Sequence, residues 1–496
     1  MPTATSGFFC LLLLMTVLPS QAQTDRRWHY QTEAGYFAAS TPNTPFWLRS
    51  NQYGIVPEQS PFMTLRQSVG RDYRTRLPRA DSLKAIRRRI DWGWGAQAVF
   101  NAGYRYSLLI PEAYLKLKLW QSLEVWAGRR REVIGLVDSS LSSGSYAWSG
   151  NALPLTKIQV AIPDYIPHKG LFSIKGFYAH GWFESGRFVN NAMLHQKALY
   201  GRFGKPHWRI KLYAGINHQV MWGGTTERLS GGTVKNNQLP DQFSDYIKVV
   251  TAKSLANTAD DSARVSAFDR ENRIGNHLGT VDLGFEYVGQ SFSVFAYRQN
   301  VYEDGSLVYL TNIQDGLNGL RIRNRRPRNP SRVHIEDLLL EYLYTQSQGG
   351  ALFIENVDAQ RGRDNYFNHS QYQDGWSRYR QTIGTPFISP SSNSRTELPH
   401  YGFTNNNRVA VMHLGLSGQV LDWFSFQVKA SYSENLGSYE QPFPSPIRQF
   451  SSLLSVSSPI MGIKGMSARL SMASDLGDLY ENTMGVYLGI RKDGSF

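Results

Sequence analysis

The sequence predicts an all-β fold: a transmembrane antiparallel β-barrel of about 16 to 18 strands, with short helices and long folded loops closing the pore. Three observations carry that prediction. Many segments alternate apolar and polar residues with period two, the mark of a sheet with two unlike faces. Phe, Trp and Tyr make up 13% of the chain and recur beside Gly, as the interfacial girdles of a membrane barrel require. No run of about 18 apolar residues is present, so no helix is expected to cross a bilayer.

The first element, residues 1–22, is expected to be a secretory signal peptide. It contains no Lys, Arg, Asp or Glu. Phe8 to Met15 forms an apolar core, and Ser20-Gln21-Ala22 puts small residues where a signal peptidase reads them. Cys10, the only cysteine, lies inside this segment. Residues 23–496 are then expected to form a single barrel domain with no disulfide, cysteine nucleophile or cysteine-bound metal.

The strands follow. In 113–120, Ala113, Leu115, Leu117 and Leu119 share one face, while Tyr114, Lys116, Lys118 and Trp120 share the other. Ile210, Leu212, Ala214 and Ile216 alternate with Arg209, Lys211, Tyr213 and Gly215. Similar alternation runs through 424–433 and 466–472. Clear strands are expected near 108–119, 122–130, 170–180, 195–204, 208–217, 280–288, 291–300, 333–344, 407–419, 422–434, 461–473 and 483–492. One such segment would suit a soluble sheet with one wet face. Their recurrence favours a closed sheet in lipid, where the backbone finds hydrogen-bond partners only within the barrel. Apolar side chains then face lipid and polar ones face the lumen. On that reading Lys116, Lys118, Arg209, Lys211, Lys429, Arg469 and Arg491 point inward and give the lumen a positive bias. At the end of the sequence, Met484, Val486, Leu488, Ile490 and Phe496 share one parity. That pattern resembles the signal read by the outer-membrane insertion machinery.

Two long excursions, 222–278 and 346–405, interrupt the strands. Connections of this length are uncommon unless functional or disordered, and their aromatic and Asn content favours folded-in loops. Within the first, Phe243, Tyr246, Ile247 and Val250 recur at helical spacing. A further short helix or two is expected between Phe62 and Ile90. A helix cannot join the barrel wall, so these helices are expected to cap or plug it.

The formal charge of +14 suggests an anionic partner. Secretion argues against nucleic acid and favours acidic polysaccharide or the phosphates of lipopolysaccharide. The alternative reading leaves the charge at the membrane-proximal rims. There is no histidine-glutamate zinc helix, no Walker-type phosphate loop and no Gly-x-Ser-x-Gly elbow, and the histidines are scattered singly. No enzyme activity, cofactor or metal site is expected.

Three blocks resemble the Wzi-type capsule assembly proteins in their Bacteroidota form. The first runs from Trp126-Ala127-Gly128-Arg129-Arg130-Arg131 to Gly135, then through Ser142-Ser143-Gly144 and Trp148-Ser149-Gly150-Asn151 to Pro154. The second is Arg273-Ile274-Gly275-Asn276-His277-Leu278-Gly279-Thr280, followed by Tyr302-Glu303-Asp304-Gly305-Ser306. The third is Asp364-Asn365-Tyr366-Phe367-Asn368-His369, then Gly375-Trp376-Ser377 and Ile383-Gly384-Thr385-Pro386. The resemblance implies a bacterial outer-membrane barrel of about 18 strands, partly closed by helices on the periplasmic side and folded loops outside. It also implies a lectin-like role in retaining capsular polysaccharide at the cell surface.

The third block contains residues suited to a sugar site. Tyr366, Phe367, Tyr372 and Trp376 offer flat faces for pyranose C–H groups. Asn365, Asn368, His369 and Gln371 can exchange hydrogen bonds with hydroxyls. Arg361, Arg363, Arg378 and Arg380 can pair with uronate carboxylates. The alternative is that Asn and Tyr simply stitch the loop into the barrel. Arg129-Arg130-Arg131 either lines the lumen or sits at a membrane rim. The leading expectation is a non-catalytic lectin for acidic surface polysaccharide that aids capsule assembly. Its other partners would be outer-membrane lipid and, during biogenesis, the insertion machinery. A diffusion channel for anionic solutes is the runner-up, and a barrel-embedded hydrolase comes third.

Overall fold

A computed structural model describes residues 28–73, 90–120, 122–253, 265–303, 306–307, 309–328, 332–353 and 362–496. The expected signal segment lies outside these residues. The strands are β1 (Trp28–Ala39), β2 (Phe62–Arg71), β3 (Ile90–Ala102), β4 (Tyr106–Leu119), β5 (Leu123–Arg129), β6 (Thr156–Ile166), β7 (Phe172–Trp182), β8 (Met193–Phe203), β9 (Ile210–Trp222), β10 (Asn276–Val288), β11 (Phe292–Glu303), β12 (Gly316–Asn324), β13 (Val333–Tyr344), β14 (Ser377–Arg378), β15 (Gln381–Thr382), β16 (Val409–Val420), β17 (Phe424–Gly437), β18 (Pro442–Pro459), β19 (Met466–Gly477) and β20 (Thr483–Ser495). The helices are α1 (Phe46–Arg49), α2 (Phe243–Thr251) and α3 (Ala267–Glu271). All strands but β14 and β15 belong to one 18-stranded antiparallel sheet. Each pairs with its neighbour in sequence, β13 pairs with β16, and β20 pairs with β1 to close the barrel. Closure leaves no edge strand in lipid.

The two-faced strands predicted by alternation are observed. Leu115 and Leu117 are exposed on the outer wall while Lys116 between them is buried. Ile210, Leu212 and Ile216 flank buried Lys211 and Asn217 in the same way. Trp92, Phe172, Trp208, Phe292, Trp423 and Phe424 are exposed near one end of the barrel, and Tyr106, Tyr178, Trp182, Tyr342 and Tyr432 near the other. These are the two interfacial girdles. At the first end Phe496 stacks on Trp28, with ring centroids 6.1 Å apart.

Six strands escaped the clear assignments: β1, β2, β3, β6, β12 and β18. Of the segment Phe62 to Ile90, where a short helix or two is expected, Phe62–Arg71 forms strand β2 instead. Its Arg66 reaches Glu33 on β1 at 3.0 Å, a pairing that only the sheet creates. The rest of that expectation, 74–89, lies outside the described residues. β18 is rich in Ser and carries Pro at 442, 444, 446 and 459, which mask its period.

The connections 40–61, 130–155, 223–275 and 345–408 all leave the end opposite Trp28 and Phe496. Barrels of this kind have short periplasmic turns and long outer loops, so that end is the outer one. The described helices all lie in these outer loops; the helices that the resemblance implies on the periplasmic side are not among them. Most of the long loops fold inward. Segment 130–155 crosses the lumen and is fastened by inward side chains of the wall. Leu136 N donates to Asp282 of β10 at 2.9 Å, and Ser143 N to Glu341 of β13 at 2.6 Å. Tyr146 N donates to Gln299 of β11 at 3.0 Å. Gln219 of β9 and His413 of β16 donate to the carbonyls of Ala147 and Leu141, at 2.9 and 2.7 Å. Around this segment Phe46, Trp47, Leu141, Tyr146, Tyr366 and Phe367 form a buried apolar core. The barrel therefore carries its core in the lumen, and the folded loops close the pore from the outer side. Helix α2 is different: it packs against the outside of the wall instead of capping or plugging it.

Candidate functional site

The three sequence blocks meet inside the barrel mouth. Tyr146 of the first lies edge-on to Tyr366 of the third, with centroids 6.0 Å apart. Thr385 N donates to Tyr146 O at 2.9 Å, and Ser149 Oγ to Gly384 O at 2.6 Å. A Cβ on Gly384 would lie 2.2 Å from Tyr146 O, so only glycine permits this approach. Trp376 Nε1 donates to Asn276 of the second block at 3.2 Å.

This packing corrects part of the expected sugar site. Tyr366, Phe367, Tyr372, Trp376 and Arg378 are all buried. Tyr366 OH donates to Asp315 at 2.8 Å and accepts from Asn312 at 2.9 Å; Tyr372 OH donates to Gly223 O at 3.2 Å. Arg378 donates to Leu153 O at 3.3 Å and lies 3.8 Å from Glu184. Buried aromatic side chains with satisfied polar ends stitch loops together and present no ring face to a ligand. Gln371 is likewise buried, donating to Thr233 O and Asp269. Arg361 lies outside the described residues. Arg380 is exposed but lines a separate cavity beside Gly54, Glu58 and Tyr104.

Arg363, Asn365, Asn368 and His369 do come together. They line a cavity of about 720 Å³ at the outer mouth, shared with Phe353, Gln373, Tyr401, Arg273 and Asn276. The structure orders its polar groups. Asn368 donates to Asn365 Oδ1 and to Thr404 O, both at 2.9 Å, and accepts from Thr404 N at 3.0 Å. His369 Nδ1 accepts from the backbone N–H groups of Gln371 and Tyr372, at 3.1 and 3.3 Å. Two donors on Nδ1 hold the ring neutral with its proton on Nε2, and burial pushes its pKa down to about 4. Phe353 and Tyr401, about half exposed, supply the accessible aromatic faces that the buried rings do not. The sequence signal for Tyr401 was only its place in an aromatic, Asn-rich excursion.

The lining is of mixed charge. Arg363 pairs with Glu440 at 3.6 Å, and Glu303, Asp364 and Asp374 face the same cavity as Arg273. The lumen below is also balanced. Lys116 pairs with Asp72 at 2.8 Å and Lys211 with Glu286 at 3.0 Å. Lys429 donates to Ser142 O at 3.3 Å beneath the Trp47 ring, and Lys118 lies 5.5 Å from the Tyr73 ring. Arg130 meets Glu124 at 2.6 Å and Lys157 meets Glu132 at 2.6 Å, so Arg130 belongs to the lumen and not to a rim. Arg491 folds onto Asp493 at 2.8 Å. Arg469 is exposed toward the periplasmic end, and Arg209 is exposed just before β9 starts. Acidic partners thus offset much of the expected positive bias.

No family model matches the chain, and no curated protein does. Among solved structures the chain is similar to Wzi of Escherichia coli, an outer-membrane protein involved in group 1 capsule assembly and a carbohydrate-binding β-barrel. The TM-score is 0.55 with 14% identity, covering 93% of this chain and 83% of that one. OccAB4 of Acinetobacter baumannii gives 0.47 with 10% identity over 96% and 99% of the two chains. OprD of Pseudomonas aeruginosa gives 0.44 with 9% identity over 95% and 94%. The likeness to Wzi is one of fold. With the closed sheet and its girdles, it establishes a bacterial outer-membrane β-barrel.

Proposed function

We propose that this barrel is a non-catalytic lectin of the cell surface, holding polysaccharide in the outer-mouth cavity and so aiding capsule assembly. The observation that carries the reading is the cavity itself. It is roomy enough for a few sugar rings, it faces outward, and it combines accessible aromatic faces with ordered Asn and His groups above a filled lumen. Sugars are recognised by that pairing of apolar ring faces with hydrogen-bonding edges. The fold likeness to a carbohydrate-binding barrel supports the same reading. The mixed charge of the lining favours hydroxyl recognition, with the arginines adding selectivity for occasional carboxylates. A diffusion channel fits less well, because the outer half of the lumen is occupied by fastened loops.

Binding of the detergent-purified protein to surface polysaccharide of its own cells, across a salt series, tests the proposal. Saturable binding is expected, with Tyr401→Ala or Asn365→Ala weakening it about tenfold, the scale of one stacking or buried hydrogen-bond contact. Binding unchanged in both variants places the site elsewhere. No binding to native or unrelated polymers, together with steady conductance in planar bilayers, overturns the lectin in favour of the channel.

A further inference from the structure

The β9–β10 connection carries α2 to the lipid side of the wall. On β9, Leu212 and Ile216 face lipid, and His218, Val220 and Trp222 continue the same parity. Yet these last three are buried, and so is outward-facing His195 of β8. His218 packs against His277, with ring centroids 5.1 Å apart, and His195, Val220 and Trp222 are covered by α2. Its Tyr246 packs on Trp222 with centroids 5.1 Å apart, and Tyr246 OH shares hydrogen bonds with Tyr178 OH at 2.8 Å and His195 Nδ1 at 3.3 Å. Val249 is fully buried in a small apolar cluster with Val220 and Trp222, separate from the lumen core.

The helix is well built for this position. Gln242 and Asp245 form a capping box at its start, and Ala252 closes it in the left-handed conformation at φ 54°. Lys197 of β8 donates to the carbonyl of Val250, and Arg273 to that of Ala252 at 3.0 Å. One cation from the wall and one from the connection thus hold the negative end of the helix.

With one face pinned, the other is turned away from the barrel. Phe243 and Ile247, one turn apart, are 78% and 52% exposed. Tyr246, between them in sequence, bonds the girdle residue Tyr178, so the helix lies beside that girdle, at the outer edge of the lipid-facing band of Leu199, Ile216 and Leu283. Lys253, just past the helix, is exposed, and so are Arg270 and Glu271 of α3 on the same connection. Paired apolar anchors on a short helix with a basic residue at its end suit a helix lying in a charged membrane interface.

We infer that α2 is an interfacial strap that binds lipopolysaccharide of the outer leaflet. Phe243 and Ile247 enter the acyl region, and Lys253 meets a headgroup phosphate. The reading is independent of the glycan cavity.

Two measurements test it. Nitroxides are placed at Phe243→Cys and Ile247→Cys in a Cys10→Ser background and the protein is reconstituted in phosphatidylcholine vesicles containing lipopolysaccharide. Leu199→Cys serves as a lipid-side control and Ser370→Cys as a water-side control. Collisions with oxygen are expected to exceed those with a water-soluble nickel chelate at both strap positions, as at Leu199. Behaviour like that at Ser370 overturns the inference. Second, lipopolysaccharide retained through purification is compared between the wild type and a Phe243→Ser/Ile247→Ser/Lys253→Ser variant, with barrel folding checked by electrophoretic mobility without heating. Retention is expected to fall at least about fivefold, the scale of a single interfacial charge. Equal retention by a folded variant overturns lipopolysaccharide as the partner.

Discussion

A buried tyrosine needs a partner for its hydroxyl, and Tyr366 has two. Its acceptor, Asp315, also takes the backbone N–H groups of Ser347 and Gln348, at 3.1 and 2.7 Å. Burial raises this carboxyl to about 6 despite those donors. One acidic residue before β12 therefore ties down both ends of the stretch that leads to the cavity. His369, at the cavity, is kept neutral by burial. Its folded pKa of about 4 is below the ordinary value of 6.5, so the unfolded loop takes up a proton first as pH falls. The contribution of this neutral ring is fully present above pH 6.5 and is lost as pH drops toward 4. Amide protection of residues 362–376, corrected for intrinsic exchange, is expected to decline through that window in the wild type. In His369→Gln the part of the decline due to this ring should vanish. Identical profiles would mean that His369 does not titrate with loop order.

At the scale of elements, inward polar residues of the strands act as cleats for the lumen segment 130–155. Glu341 of β13 accepts from Ser142 Oγ at 2.7 Å, from Ser143 N at 2.6 Å and from Tyr297 OH. Gln299 of β11 accepts from Tyr146 N at 3.0 Å and donates to Asp282 at 3.1 Å. Each such contact is worth about 1 kcal/mol net, and more when its loss strands a buried partner. The double variant Glu341→Ala/Gln299→Ala is expected to release the segment while leaving the sheet intact. Planar-bilayer recordings should then show intermittent openings absent from the wild type. A variant as silent as the wild type would mean that the other loops close the pore without this segment. The same residues explain what alternation alone does not convey. The period shows which side chains turn inward, but not that Glu341 and Gln299 hold another part of the chain.

For the whole molecule, closure is the decisive event, because β1 and β20 lie at opposite ends of the sequence yet pair over their full length. Glu33 marks that seam inside the lumen. It accepts from Tyr487 OH of β20 at 2.5 Å and from Arg66 of β2 at 3.0 Å. Glu33→Ala leaves a buried guanidinium without its carboxylate, at a cost of about 3 kcal/mol. The temperature at which the barrel loses its compact electrophoretic mobility is expected to fall clearly below that of the wild type, while Glu33→Gln should lose less. No shift in Glu33→Ala would show that the pair contributes nothing to closure.

The barrel is legible in the strands' alternation. Side-chain parity is a local property of each strand, and lipid outside with polar lumen inside forces the two faces apart, so Leu115 and Lys116 could be assigned without coordinates. The same local logic located the two large outer excursions and the helix at Phe243. Which residues of those excursions line the outer-mouth cavity depends on how the loops pack. Tyr366, Tyr372 and Trp376 are chemically suited to sugar, but burying Tyr366 against Tyr146, Tyr372 against His369 and Trp376 beside Asn276 removes more apolar surface from water than an open site would. Tyr401 and Phe353 stay accessible because, among the described residues, the packed loops leave their faces about half exposed. Which side of the wall α2 occupies was likewise undecidable from its amphipathic pattern, since an apolar helix face fits a lumen or a lipid surface equally well. The outward parity of His195, Val220 and Trp222, together with their contacts to Tyr246 and Val249, places it outside.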